Sequence, residues 1–206
     1  MEKIKIELLE GGILPKKEFG ESGGYDLFVP ERTFIGAGKT IVPLGFKIAI
    51  PKGKVALIFS RSGVEAKGVQ GWLSESNGKL YNCKVVNGYL EEDKYMELCQ
   101  NEDIYYVERS KRINLPDGKV LYDATYREKV YDSIRLDKCS VKLGMADCGY
   151  RGVVGMILEN NDASFYIEAG QSIAQMVIID VPDTELLPVE KLDSGEGERG
   201  EQGFNS

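Results

Sequence analysis

Short runs of β-branched and aromatic residues, each cut off by glycine or proline, fill both ends of this chain and leave little room for helix. Thr33–Ile35, Thr40–Val42, Phe46–Ile50 and Val55–Phe59 are separated by Gly36-Ala37-Gly38, Pro43-Leu44-Gly45 and Pro51-Lys52-Gly53. Val153–Leu158, Ser164–Ile167 and Ala174–Ile179 continue the rhythm, and Ile4 and Ile6 open it within Lys3–Leu8. Neither part carries a long 3.6-residue apolar repeat, and Gly and Pro would interrupt a helix where they stand. Strand-sized runs with a turn signal every ~8–12 residues predict an all-β barrel or sandwich. At 206 residues the chain is long enough to bury a substantial core, as one domain or as one domain with an insertion.

Residues 70–139 have a different character. They hold Trp72, the only tryptophan, and eight of the eleven tyrosines: Tyr81, Tyr89, Tyr95, Tyr105, Tyr106, Tyr122, Tyr126 and Tyr131. Asn77-Gly78, between Trp72-Leu73 and Leu80-Tyr81, reads as a hairpin turn. Pro116-Asp117-Gly118 reads as a second turn. Leu90–Cys99 is charged, with Leu90, Tyr95, Leu98 and Cys99 apolar, and predicts a short helix. A segment of this length is too long for a structureless loop. It predicts a small inserted α+β subdomain with a minor core. Its rings either form that core or lie exposed for a protein partner, and both readings stand.

Charge and composition exclude several chemistries. Lys and Arg total 26 against 33 Asp and Glu, a net charge of −7, which disfavours sequence-independent nucleic-acid binding. An anionic ligand must then be held by a local basic pocket. There is no histidine, so His triads, His-ligated zinc and His proton shuttles are ruled out. Acid–base work falls to carboxylates, Tyr, Lys, Cys or bound water. Cys83, Cys99, Cys139 and Cys148 show no C-x-x-C spacing and are read as reduced thiols in a cytoplasmic protein, with Cys148 the one to watch for reactivity. No apolar run reaches the length of a membrane helix, and no secretory signal opens the chain.

Five short segments carry the chemistry. They are Gly23-Gly24-Tyr25-Asp26-Leu27, Ser60-Arg61-Ser62-Gly63, Gly144-Met145-Ala146-Asp147-Cys148-Gly149-Tyr150-Arg151-Gly152, Gly170–Met176, and the C-terminal Glu198–Ser206. Ser60-Arg61-Ser62-Gly63 sets a guanidinium, a hydroxyl and accessible backbone in one turn after a strand, a combination suited to phosphate oxygens. Asp147 and Tyr150, between Gly144 and Gly152, suit a tight hairpin. The polar tail combines Arg199, Phe204 and Ser206 among glycines, as a flap over a nucleotide would.

In type and order these segments resemble the five motifs of the trimeric dUTP pyrophosphatases (dUTPases), over residues 2–70 and 140–206. The resemblance implies an all-β, jelly-roll-like dUTPase core at 1–69 and 140–188, the inserted α+β subdomain at 70–139, and a flexible flap arm at 189–206. It implies Mg²⁺-dependent hydrolysis of dUTP to dUMP and diphosphate, lowering dUTP and supplying dUMP for dTMP synthesis, in a homotrimer with shared sites. By the same resemblance Asp147 orients the water that attacks the α-phosphate and meets the sugar 3′-hydroxyl, and Ser62 donates to the phosphates near the scissile bond. Arg61, Gly63, Lys67, Gly144, Gln175, Arg199 and Ser206 bind substrate. Tyr150 packs on the deoxyribose, and Phe204 covers the base. Asp26 acts on the metal indirectly, through water, or pairs with Arg61.

Some positions depart from the family pattern. Val141 stands where a side-chain amide often helps to read uracil, Ser172 where an Arg is usual, and Asn205 where a Gly is usual. The related dCTP deaminases carry a second Ser and an Arg where this chain has Gly63 and Ala66, and a strand Glu where it has Ile157, with Glu159 two residues on. A deaminase or bifunctional enzyme, and a nucleotide-responsive protein-binding module acting through the insertion, are the alternatives to the dUTPase reading.

Overall fold

The computed structural model describes residues 2–190. Strands β1 (Lys5–Leu8), β2 (Tyr25–Phe28), β3 (Thr33–Ile35), β4 (Gly38–Pro43), β5 (Phe46–Ala49) and β6 (Lys54–Ser60) lead to helix α1 (Ser62–Lys67). Strands β7 (Val69–Gly71), β8 (Ser74–Ser76) and β9 (Lys79–Glu91) precede helix α2 (Glu92–Gln100). Then come β10 (Ile104–Asn114), β11 (Val120–Val130), β12 (Ile134–Leu136), β13 (Cys139–Lys142) and β14 (Gly144–Asp147). Strands β15 (Gly155–Asn160), β16 (Phe165–Ile167) and β17 (Ser172–Asp180) complete the set.

Two sheets carry the core, one ordered β14-β6-β17-β2 and the other β13-β15-β4. Alternation decides which side chains go inward. On β15, Met156, Leu158 and Asn160 are buried while Gly155, Ile157 and Glu159 face out. Leu27, Val42, Ala56, Ile58, Val141, Ile173 and Met176 arrive in the same cluster from the neighbouring strands. Each fully buried Leu, Ile, Phe or Met side chain contributes roughly 1.5–3 kcal/mol. The pairs β1–β5, β3–β16 and β7–β12 extend this all-β, jelly-roll-like body. Among the described residues, its one fully buried polar side chain is Asn160. Asn160 Nδ2 donates to Gly36 O and Ala163 O, both at 3.1 Å, and Oδ1 accepts from Asp162 N at 3.0 Å.

Strands β8 to β11 form a separate four-stranded sheet ordered β10-β11-β9-β8. The Asn77-Gly78 turn is formed, with both residues at positive φ (50° and 74°), the geometry of a two-residue hairpin turn. The turn at Pro116–Gly118 is formed too, with Leu115 N bonded to Lys119 O at 2.8 Å. Helix α2 starts at Glu92 rather than Leu90, because β9 keeps pairing with β11 as far as Glu91↔Leu121. The helix lies over the sheet, with Tyr95 stacked on Tyr122 at 3.9 Å and Leu98 buried. The tyrosines divide between core and surface. Tyr81 is buried against Tyr105 and Tyr131, whereas Tyr89 is 70% exposed and Tyr106 55%.

The chain leaves and re-enters the body through β7 and β12, where Val69↔Leu136, Gln70↔Arg135 and Gly71↔Ile134 pair. Trp72 and Tyr166 exchange backbone hydrogen bonds at 3.1 and 2.7 Å just beyond. Gly68 ends α1 at φ 77°, and a Cβ there would lie 2.5 Å from Leu136 O. Only glycine fits that crossing.

The hairpin expected at Gly144–Gly152 is not formed. Tyr150 N donates to Asp147 O at 3.0 Å, so the turn itself exists, but its arms join different sheets. Strand β14 pairs with β6, and β15 pairs with β13 and β4. Between them Val154 is captured by the body: its N–H donates to Phe46 O and its carbonyl accepts from Leu44 N, both at 2.8 Å.

Two expectations follow from burial. Asn160→Ala removes the partner of the half-buried Gly36 carbonyl, the Ala163 carbonyl and the Asp162 N–H, leaves a void in the core and should cost about 1–3 kcal/mol in urea unfolding; a loss under about 0.5 kcal/mol would mean water replaces the amide freely. Burial pushes the Cys139 thiol up to about 11. A thiol reagent near pH 8 should therefore label exposed Cys99 quickly, and Cys139 only after unfolding.

Candidate active site

Strand β6 ends at Ser60 and α1 begins at Ser62, leaving Arg61 extended between them (φ −72°, ψ 145°). Its guanidinium has three partners. Nε lies 3.2 Å from Asp26 Oδ1, Nη2 lies 3.2 Å from Glu18 Oε2, and Nη1 donates to Ser172 O at 3.4 Å. Asp26 is held there by pairing of β2 with β17, opposite Gln175. Gln175 Nε2 in turn donates to Ser60 O at 3.5 Å. Gly23, Gly24, Asp26, Arg61, Ser62 and Gln175 thus line one cleft of about 260 Å³, with Glu18 and Ser22 at its side. Residues 62 and 63 open the helix, so their amide N–H groups have no intrahelical acceptor. A guanidinium, a hydroxyl and an amide lining one small space are suited to anionic oxygens.

Asp147 is not in this cleft. It ends β14 opposite Val55, at the other end of β6, while Gly144 pairs with Ile58 near the middle. Arg61 lies six residue steps along the strand from Val55, which puts Asp147 roughly 20 Å from the guanidinium within one chain. There it lines a second cleft, of about 550 Å³, with Lys54, Val55, Cys148 and the segment Val181–Asp183. Asp147 is exposed and half-buried Cys148 lies beside it. Tyr150 stands at the same end, its hydroxyl donating to Val153 O at 2.8 Å. Arg151 Nη1 braces the turn by donating to Cys148 O and Tyr150 O, both at 2.7 Å.

One chain therefore gathers Asp26, Arg61, Ser62, Gly63 and Gln175 at one end of β6 and puts Asp147 and Tyr150 at the other. Lys67 is exposed in the last turn of α1 and does not line the first cleft. Arg199, Phe204, Asn205 and Ser206 lie outside the described residues. Val141 is buried in the core and offers no polar group. Ser172 gives Arg61 only its carbonyl, and its buried hydroxyl has no partner among the described residues. Ile157 and Glu159 share the outer face of β15, where a hydrogen bond from Lys142 holds the Glu159 carboxyl below the usual carboxylate range. That carboxylate is a committed ion-pair partner. Sequence reasoning missed Glu18, which belongs to no motif and reaches Arg61 only through the folded path of the 16–24 segment, and it missed the bracing role of Arg151.

The dUTPase family model matches residues 11–81 and 133–206 and passes over the long strands of the separate sheet. Similar curated proteins include the deoxyuridine 5′-triphosphate nucleotidohydrolase of Oryza sativa subsp. japonica, 27% identical over 99% of this chain and 78% of that protein. The Cutibacterium acnes enzyme of the same name is 35% identical over 48% of this chain and 64% of its own length. Among solved structures, the dUTPase of Staphylococcus bacteriophage 80alpha with dUPNHPP has the same fold, with a TM-score of 0.61 at 20% identity, covering 99% of this chain and 97% of that one. The phage phi11 dUTPase of S. aureus, described with a structural Mg(II) ion, matches with a TM-score of 0.55 at 18% identity, over 92% and 98% of the two chains. With the family model covering most of its length, this chain belongs to the dUTPase family.

Proposed function

We propose that the chain hydrolyses dUTP to dUMP and diphosphate at a site completed by a second copy of itself. The observation that carries this is the division of the site residues between the two ends of β6. Arg61, Ser62 and Gln175 form a phosphate cleft in which, among the described residues, no carboxylate is free to orient a water, because Asp26 and Glu18 are both paired with Arg61. Asp147 is such a carboxylate, roughly 20 Å away along the strand. A closed homotrimer, in which each cleft receives Asp147 of the partner subunit, removes the mismatch.

In this reading Arg61, Ser62, Gln175 and the Gly63 backbone hold the triphosphate, and Asp147 holds a water against the α-phosphorus. The water oxygen bonds to phosphorus as the bridging α–β P–O bond breaks. Diphosphate leaves, and the water's proton passes through the carboxylate to solvent. Tyr150 lies along the deoxyribose. Arg199, Phe204 and Ser206 close over the nucleotide from an arm at 189–206. Residues 1–69 and 140–188 act as the catalytic body, and 70–139 as an inserted unit. Four free thiols support a cytoplasmic setting.

Among the described residues, no group of three or more Asp, Glu, Cys or His side chains could cage a metal. That donor set fits Mg²⁺ carried mainly by substrate phosphates and water, with Asp26 reaching it only through water. When bound, it would neutralise charge along the triphosphate.

Diphosphate release should be measured with dUTP, dCTP, dTTP and UTP. Release from dUTP and its loss by at least about a hundredfold in Asp147→Asn are expected; release from none of the four would defeat the reading. The shared site has its own test. Arg61→Ala and Asp147→Asn should each be nearly inactive, yet refolded together in equal amounts they should regain about a quarter of wild-type activity. Failure to regain any, with mixed trimers present, would mean that each chain completes its own site.

Protein recognition through the insertion is a second, compatible role. It is supported by the exposed rings of Tyr89, Tyr105 and Tyr106. Tyr89→Ala should then leave dUTP turnover intact; lost turnover would tie the insertion to catalysis instead.

A further inference from the structure

Tyr150 is seated by its neighbours. Its hydroxyl donates to Val153 O at 2.8 Å, and Val154, the next residue, is pinned to the body through Phe46 and Leu44. Arg151 ties down the Tyr150 carbonyl from the other side. Beneath the ring lies Gly152. A Cβ on that residue would stand 2.5 Å from the Tyr150 hydroxyl oxygen, 2.7 Å from Cζ and 3.0 Å from Cε2. No real methyl group could share that space with the ring. Gly152 is not at positive φ, so its backbone would accept a side chain. The ring needs the vacancy; the backbone does not.

We infer that Gly152 is a specificity-determining residue for the sugar. By leaving its Cβ position empty, it sets the depth at which the Tyr150 ring lies, and so whether a 2′-hydroxyl finds room. The inference rests on the proposal that Tyr150 lines the deoxyribose. With the ring seated on Gly152, its outer face presents carbon to the sugar. A 2′-hydroxyl pressed against that face loses water and gains no partner, while the 2′-methylene of a deoxyribose loses nothing. A methyl at 152 drives the ring off its seat and breaks the bond to Val153 O. The deoxyribose then loses its fitted platform, and the difference between the two sugars shrinks. Gly152 acts through Tyr150 and touches no reacting atom, so it is a positioning residue.

The test is the ratio of kcat/KM for dUTP to that for UTP. Gly152→Ala should lower this ratio by at least about tenfold. Tyr150→Phe keeps the ring but frees its outer end, and should lower the ratio less. In a Tyr150→Ala background, adding Gly152→Ala should change nothing further, because the ring it displaces is gone. Thermal unfolding of each variant separates displacement of the ring from loss of the fold. A ratio within about twofold of the parent in Gly152→Ala, with dUTP still turned over, would overturn the inference. So would an equal fall with and without the ring. Wild-type protein that releases no diphosphate from dUTP would instead overturn the functional reading beneath it.

Discussion

Pairing on both edges of β6 fixes nearly everything else. On one edge, β17 sets Ala174 against Ser60 and Gln175 against Phe59. On the other, β14 sets Asp147 against Val55. A slip of one residue in either ladder would turn Ile58 or Met176 out of the core and move a polar residue in. Burial therefore enforces the register, and the register places the polar site residues. The Arg61–Asp26 ion pair depends on this. Asp26 faces the guanidinium only because β17 holds β2 at the distance of one further strand.

The two ends of β6 are chemically unlike. At the Ser60 end, cationic and neutral donors converge and both nearby carboxylates are spent on Arg61. At the Val55 end stand an exposed carboxylate and an aromatic ring. The two carboxylates beside the arginine keep its fork aligned, and Glu18 is the more exposed of the pair.

Most of the fold was legible in the sequence because its signals are local. Thr33–Ile35 is a strand to the residue, and Asn77-Gly78 adopts the turn that its positive φ values require. The candidate site residues were legible as types, and Arg61, Ser62, Asp26 and Gln175 line one cleft. Their separation from Asp147 was not legible, since it depends on the pairing of residues some ninety positions apart. The failed hairpin at Gly144–Gly152 has the same origin. Its turn is local and is present, but capture of Val154 by Phe46 and Leu44 is not local, and capture prevails. Helix α2 begins late for a related reason, as ladder bonds to β11 hold Leu90 and Glu91 in the strand.

The β7–β12 stem bears on how such a chain can fold. Gln70 and Arg135 lie side by side, so the ends of everything between them are already a ladder's width apart. Loop-closure entropy rises only with the logarithm of loop length, and a segment that brings its own ends together as it folds removes most of even that cost. If β8 to β11 pair first, the barrel that forms afterwards meets the whole insertion as it would a tight turn. The nominal contact order of the body is then far larger than the one its folding experiences.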